Sequence, residues 1–203
     1  MLEFEPTTHT YTLDGEEIPS VTEILRFAHH EVYPNADKAI MDLAADKGTR
    51  VHAACEELDL KGTTETDLDI EGYVKAYIEF RKQHSVHWTA IEYPIWASNE
   101  YGKYAGTLDR FGFLDGNDVL LDIKTTSTIS KKHQLLYAAQ LSAYKYALME
   151  AEAKVPKNLA ILQLKNDGSY KLIYVEQELE LFESCCFMHY LFDSVKRKRR
   201  KGK

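Results

Sequence analysis

The sequence predicts an α/β or α+β layer fold, with helices first, then a strand meander, a long helix, a second hairpin and a closing helix. Three observations carry that expectation. Apolar residues recur at helical spacing over about 36–84, those between 89 and 124 alternate or run unbroken as strands do, and the Ala- and Leu-rich stretch 133–152 returns to the helical period. The 203 residues make room for one ordinary domain, placed at 1–195, with a basic tail at 196–203. Hydrophobic residues at 44% and charged residues at 28% exclude a fibrous or wholly disordered chain.

Taken in order, residues 9–18 predict a hairpin around Asp14-Gly15. Ser20, with Glu23 three residues on, predicts a capping box opening a helix through Leu25. Helices are expected at about 36–61 and 69–84, interrupted near Gly48 and ended at Gly62. Strands are expected at 89–97, 104–114 and 118–124, the last two joined by a turn at Asp115-Gly116-Asn117-Asp118. A helix at 133–152 follows, then strands at 158–164 and 170–176 around Asn166-Asp167-Gly168, and a last helix to about 195.

The charge is unevenly spread. Seven of the last eight residues are basic, among them Lys196, Arg197, Lys198, Arg199 and Arg200, which leaves 18 basic against 32 acidic residues, or −14, over 1–195. An acidic body repels a polyanion unless metal ions or local patches intervene. A terminal charge block reads either as a solvated, disordered tail or as an arm that touches nucleic acid. No run approaches the ~18 apolar residues of a membrane helix. The acidic start Met1–Pro6 is no secretory leader, and Cys55, Cys185 and Cys186 contain no C-x-x-C pair, so a cytoplasmic, reducing location is expected.

Chemistry concentrates in Val119-Leu120-Leu121-Asp122-Ile123-Lys124. Apolar residues on both faces mark a strand covered on both sides. Asp122 and Lys124 interrupt one face, where a buried charge costs several kcal/mol unless paired or metal-bound. An ion pair near a strand end accounts for the two in isolation. Register adds Asp109: a turn centred on Asp115-Gly116 puts it opposite Asp122, and one centred on Gly116-Asn117 puts it opposite Lys124. Either way the three side chains are expected on one face, where a lysine or a divalent cation would relieve the two carboxylates. A three-residue loop would break that parity. His52 and Glu56, and likewise Gln140 and Tyr144, are spaced i, i+4 on predicted helices, and Glu92 opens the Glu92–Trp96 stretch.

In this order, Gly48-x3-His52-x3-Glu56, Glu92, Gly106-Thr107-x-Asp109, Asp122-x-Lys124-Thr125-Thr126 and Gln140-x3-Tyr144 resemble the RecB-like branch of the PD-(D/E)XK nucleases. That branch includes phage, CRISPR-associated and mitochondrial genome maintenance exonucleases, and Pro19–Leu25 resembles a helix near their start. The resemblance spans roughly 19–146. It implies a restriction-endonuclease-like core, a mixed central sheet flanked by helices with an N-terminal helical region. It implies a Mg²⁺- or Mn²⁺-dependent deoxyribonuclease, exonuclease rather than endonuclease, serving phage or bacterial recombination and repair, with DNA and a recombination or single-strand-binding protein as partners. His52, Asp109, Asp122 and the Ile123 carbonyl would ligate the metal, and Lys124 would orient water and stabilise the scissile phosphate. Gln140 and Tyr144 would line the DNA channel, and Glu56 and Glu92 would support the site or a second ion. Three cysteines cannot supply the Cys₄ set of the relatives that hold an iron–sulfur cluster, so none is expected. The alternative is a nuclease-fold DNA-binding or scaffolding module without turnover, against which the intact Asp109, Asp122 and Lys124 set argues.

Overall fold

The computed structural model describes residues 1–34 and 37–201, the side chains from 195 onward excepted. It begins with a three-stranded antiparallel sheet of β1 (Leu2–Glu5), β2 (Thr10–Leu13) and β3 (Glu16–Ile18). The expected hairpin turns at Asp14 and Gly15, both left-handed at φ 53° and 82°, while β1 adds a strand outside the expectation. Tyr11, Leu13 and Ile18 pack this sheet on Ala105. Ser20 caps α1 (Val21–Ile24) by accepting the Glu23 N–H at 3.0 Å, and α2 (Arg26–Val32) follows at once.

α3 (Lys38–Lys61) starts at Asp37, whose carboxylate accepts the Ala39 and Ile40 N–H groups, and stops at Gly62 with φ 78°. It runs unbroken through Gly48, correcting the expected interruption. A single glycine costs a helix only about 1 kcal/mol, and the packing of Val51, Ala54, Cys55 and Leu58 outweighs that. α4 (Glu71–Gln83) comes next.

The central sheet holds β4 (Val86–Ser98), β5 (Lys103–Leu114), β6 (Asn117–Lys124), β7 (Asn158–Leu164) and β8 (Tyr170–Val175) in that order. β6 and β7 are parallel and the other neighbours antiparallel. The parallel pair requires a crossover, and α5 (Lys131–Glu150), capped by Ser130, supplies it. α6 (Leu179–Lys201) closes the chain and carries the backbone of residues 196–201; the side chains of the basic run lie outside the described residues.

The molecule is thus α/β, a mixed sheet between two helical layers. Val119, Leu121 and Ile123 of β6 pack with α3 and α4, whereas Leu120 packs with α1, α5 and α6. Each such buried side chain contributes roughly 1.5–3 kcal/mol. Among the described residues no helix is long and apolar enough to cross a membrane.

Two close approaches set the sheet's geometry. Trp88 pairs with Gly112 and Ala90 with Phe111, so Thr89 is bulged out of the β4–β5 ladder. A Cβ on Gly112 would stand 2.2 Å from the His87 carbonyl oxygen, and one on Gly106 would stand 2.5 Å from Cε1 of Tyr144. Because the obstacle at Gly112 is backbone, Gly112→Ala should destabilise the protein by about 1–3 kcal/mol, read as a lower urea midpoint by circular dichroism.

Candidate active site

The turn at Asp115-Gly116, with φ 50° and 79°, pairs Leu114 with Asn117 and carries the β5–β6 ladder to Arg110 opposite Leu121. The next step along that register sets Asp109 opposite Asp122, the first of the two registers the sequence allowed. Ladder pairing ends there. The Asp109 carboxylate occupies the gap, and its Oδ2 accepts the Ile123 N–H at 2.6 Å.

Alternation also breaks at this point. Arg110 reaches Asp59 of α3, and Asp109 Oδ1 lies 3.7 Å from His52 Nδ1, also on α3. Consecutive residues therefore serve the same side. Asp122 and Lys124 instead face α5, where Lys124 Nζ lies 3.2 Å from Gln140 Oε1 and 4.8 Å from the centre of the Tyr137 ring. The single face expected for the three residues is kept by Asp122 and Lys124, and Asp109 departs from it.

His52, Glu92 and Asp109 form the group on the α3 side, with one ligand atom from each lying within 4.8 Å of the others. His52 Nε2 donates to the Ile123 carbonyl at 3.1 Å, and its Nδ1 stands 3.2 Å from Glu92 Oε1. Burial works against a charged imidazole, yet Asp109 and Glu92 hold His52 above its ordinary pKa. Burial raises Asp109, offset in part by His52, while His52 and Arg110 overcome burial to lower Glu92. Glu92, expected as a supporting residue, stands within the group: Ile91 pairs with Arg110 and Tyr93 with Leu108, which sets Glu92 level with Asp109, and its backbone is left-handed at φ 42°.

Two carboxylates, an imidazole and a backbone carbonyl suit a hard or borderline divalent ion. Asp122 adds a buried carboxylate whose one partner among the described residues is Lys124: Nζ donates to its Oδ1 at 2.9 Å and stands 2.8 Å from Oδ2, which accepts no other hydrogen bond among them. The residues present therefore fit a divalent cation. His52 would have to give up its proton to bind one.

Burial disfavours the charge on Lys124, but Asp122 and Asp109 more than compensate, and its pKa is raised. It is an ammonium donor rather than a base. Gln140 Nε2 donates to the Tyr144 hydroxyl at 3.3 Å, so the i, i+4 pair on α5 acts as one unit behind Lys124. His52, Glu56, Glu92, Asp109, Lys124, Gln140 and Tyr144 all line a cleft of about 600 Å³. Asp122 lies behind that surface, 2% exposed.

Sequence reasoning passed over Asp59 and Arg110. Arg110 Nε donates to Asp59 Oδ2 at 2.7 Å and NH1 to Glu92 Oε1 at 2.9 Å, while the Tyr77 hydroxyl and Arg81 also reach Asp59. The signal that singled out Asp122, a charge inside an apolar strand, was present at Arg110 as well. Asp59 follows His52 by seven residues on α3, hence on the same face.

Neither a scan against protein-family models nor a search of curated proteins finds a match for this chain.

Two outcomes are expected from this geometry. Asp109→Asn should weaken Mn²⁺ binding, measured calorimetrically, by more than the roughly 10–100-fold typical of losing an outer partner alone. Arg110→Ala should cost about 3–5 kcal/mol in denaturant unfolding, because the Asp59 side chain, 1% exposed, loses its closest charge partner.

Proposed function

We propose that this chain is a divalent-metal-dependent DNA nuclease of the PD-(D/E)XK type, acting as an exonuclease. The observation that carries the reading is one cleft lined by both the His52, Glu92 and Asp109 group and the Lys124 ammonium. Phosphodiester hydrolysis needs a nucleophilic water held in line and charge neutralised on the phosphate. A cation held by Asp109, Glu92 and His52, with Asp122 close behind, would supply Lewis acidity and a water of lowered pKa.

The chain's own residues do the rest. Lys124, steered by Asp122 and Gln140, offers its ammonium protons to a phosphate oxygen in the cleft. Gln140 and Tyr144 fix the direction of that ammonium. Arg110 binds one oxygen of Glu92 and limits how far that carboxylate can swing. A cleft of about 600 Å³ falls within the ~300–1,000 Å³ of pockets that enclose single small molecules. It suits a nucleotide at a strand end better than continuous duplex, which favours exonucleolytic action.

End-labelled and circular DNA incubated with Mg²⁺ or with EDTA test the reading. Linear DNA should be degraded from its ends only with the metal, and circular DNA should survive. Lys124→Ala should lower turnover about 10²–10³-fold, the loss usual for one donor to developing charge, and should also lower the melting temperature, because the buried Asp122 loses its charge partner. Near-normal turnover in that variant would sink the assignment.

A further inference from the structure

The cleft has a second wall that the hydrolytic chemistry does not use. Phe4 of β1, Tyr11 of β2, and Pro6 and His9 of the turn between them line it together with the charged group. Phe4 stacks on Tyr11 with ring centres 4.6 Å apart and planes 25° from parallel, and His9 meets Phe4 edge-on at 5.2 Å. Tyr11 is buried and forms the backing, whereas Phe4 is half-buried and His9 exposed. The Tyr11 hydroxyl is hydrogen-bonded to Thr107 Oγ1 at 2.9 Å, two residues from Asp109, so the aromatic wall is fastened to the strand that carries the carboxylate. α3 lines the same cleft with Ala45, Gly48 and Thr49, three small residues.

Resting on the nuclease reading, we propose that Phe4 and His9, backed by Tyr11, form a stacking wall for an unpaired nucleobase attached to the phosphate held at Lys124. The charge of the cleft argues for this occupant. Among the described residues Lys124 is the one lysine lining the cleft, and a cation at Glu92 and Asp109 would do little more than balance their charge, so phosphate contacts alone bring little affinity. Stacking on an aromatic face is independent of charge and tolerant of base identity. A paired base has its faces covered by neighbours in the duplex, so the wall selects a single-stranded or frayed end.

The test uses the full chain with Ca²⁺ in place of Mg²⁺, so that bound DNA is held without turnover, and fluorescence anisotropy on two labelled strands of equal length. One is oligothymidylate and the other an abasic phosphodiester of the same charge. Phe4→Ala should weaken oligothymidylate binding about tenfold, within the range of base–aromatic stacking, and leave the abasic strand within about twofold. His9→Ala should act in the same direction and less strongly. Phe4→Leu keeps apolar contact with Tyr11 without a π face, so it should behave as Phe4→Ala does even if the alanine variant folds poorly. Equal losses on both strands, or none on either, would overturn the wall. Cleavage by the unmodified protein separates the two ideas: DNA degraded without a base-dependent loss leaves the nuclease reading and removes the wall. A base-dependent loss without degradation does the reverse.

Discussion

The hydrogen bond from the Ile123 N–H to the Asp109 carboxylate is the contact around which the rest is arranged. A buried backbone donor left unpaired costs about 1–3 kcal/mol. β5 and β6 can separate at this level only because a side chain takes the place of the missing ladder bond. The separation brings Asp109 to His52 while Asp122 keeps its place beside Lys124. One carboxylate is thus committed to the α3 layer, where it lines the cleft, and one to the α5 layer, behind the cleft surface.

Around that point the molecule buries an unusual density of charge. Arg110 is fully buried and spans from Asp59 to Glu92, so the ion pairs of α3 and α4 are continuous with the candidate metal ligands. Such networks are costly to desolvate and gain their value from fixing geometry. Here the geometry fixed is the position of Glu92 Oε1. Even so, Arg110 NH2 finds no partner among the described residues.

Much of this was legible in the sequence, for reasons that can be assigned. Asp14-Gly15 and Asp115-Gly116 read as turns because both need left-handed residues, and Ser20 and Gly62 read as helix ends through their capping chemistry. The strand containing Asp122 and Lys124 was recognisable because charge in a doubly covered strand demands a partner. The resemblance placed Glu92 at the site as a supporting residue, but its place within one group with His52 and Asp109 was not legible. It depends on the β4–β5 register beyond the bulge at Thr89 and on a break in strand alternation at Asp109, neither of which leaves a trace in local composition. β1 and α2 were passed over because each is short, and tertiary packing rather than a strong local period holds them.

The bare backbone at Gly106 has a consequence for how the two layers are spaced. Tyr144 lies against it so closely that α5 uses the absent side chain as its seat on the sheet. One turn earlier on the same helix, Gln140 accepts from Lys124. The height of the helix above the strand and the aim of the lysine are therefore one mechanical variable, with Gly106 as its shim. A methyl group added there would have to lift or turn Tyr144, and the disturbance would be felt at the ammonium before it was felt in the core.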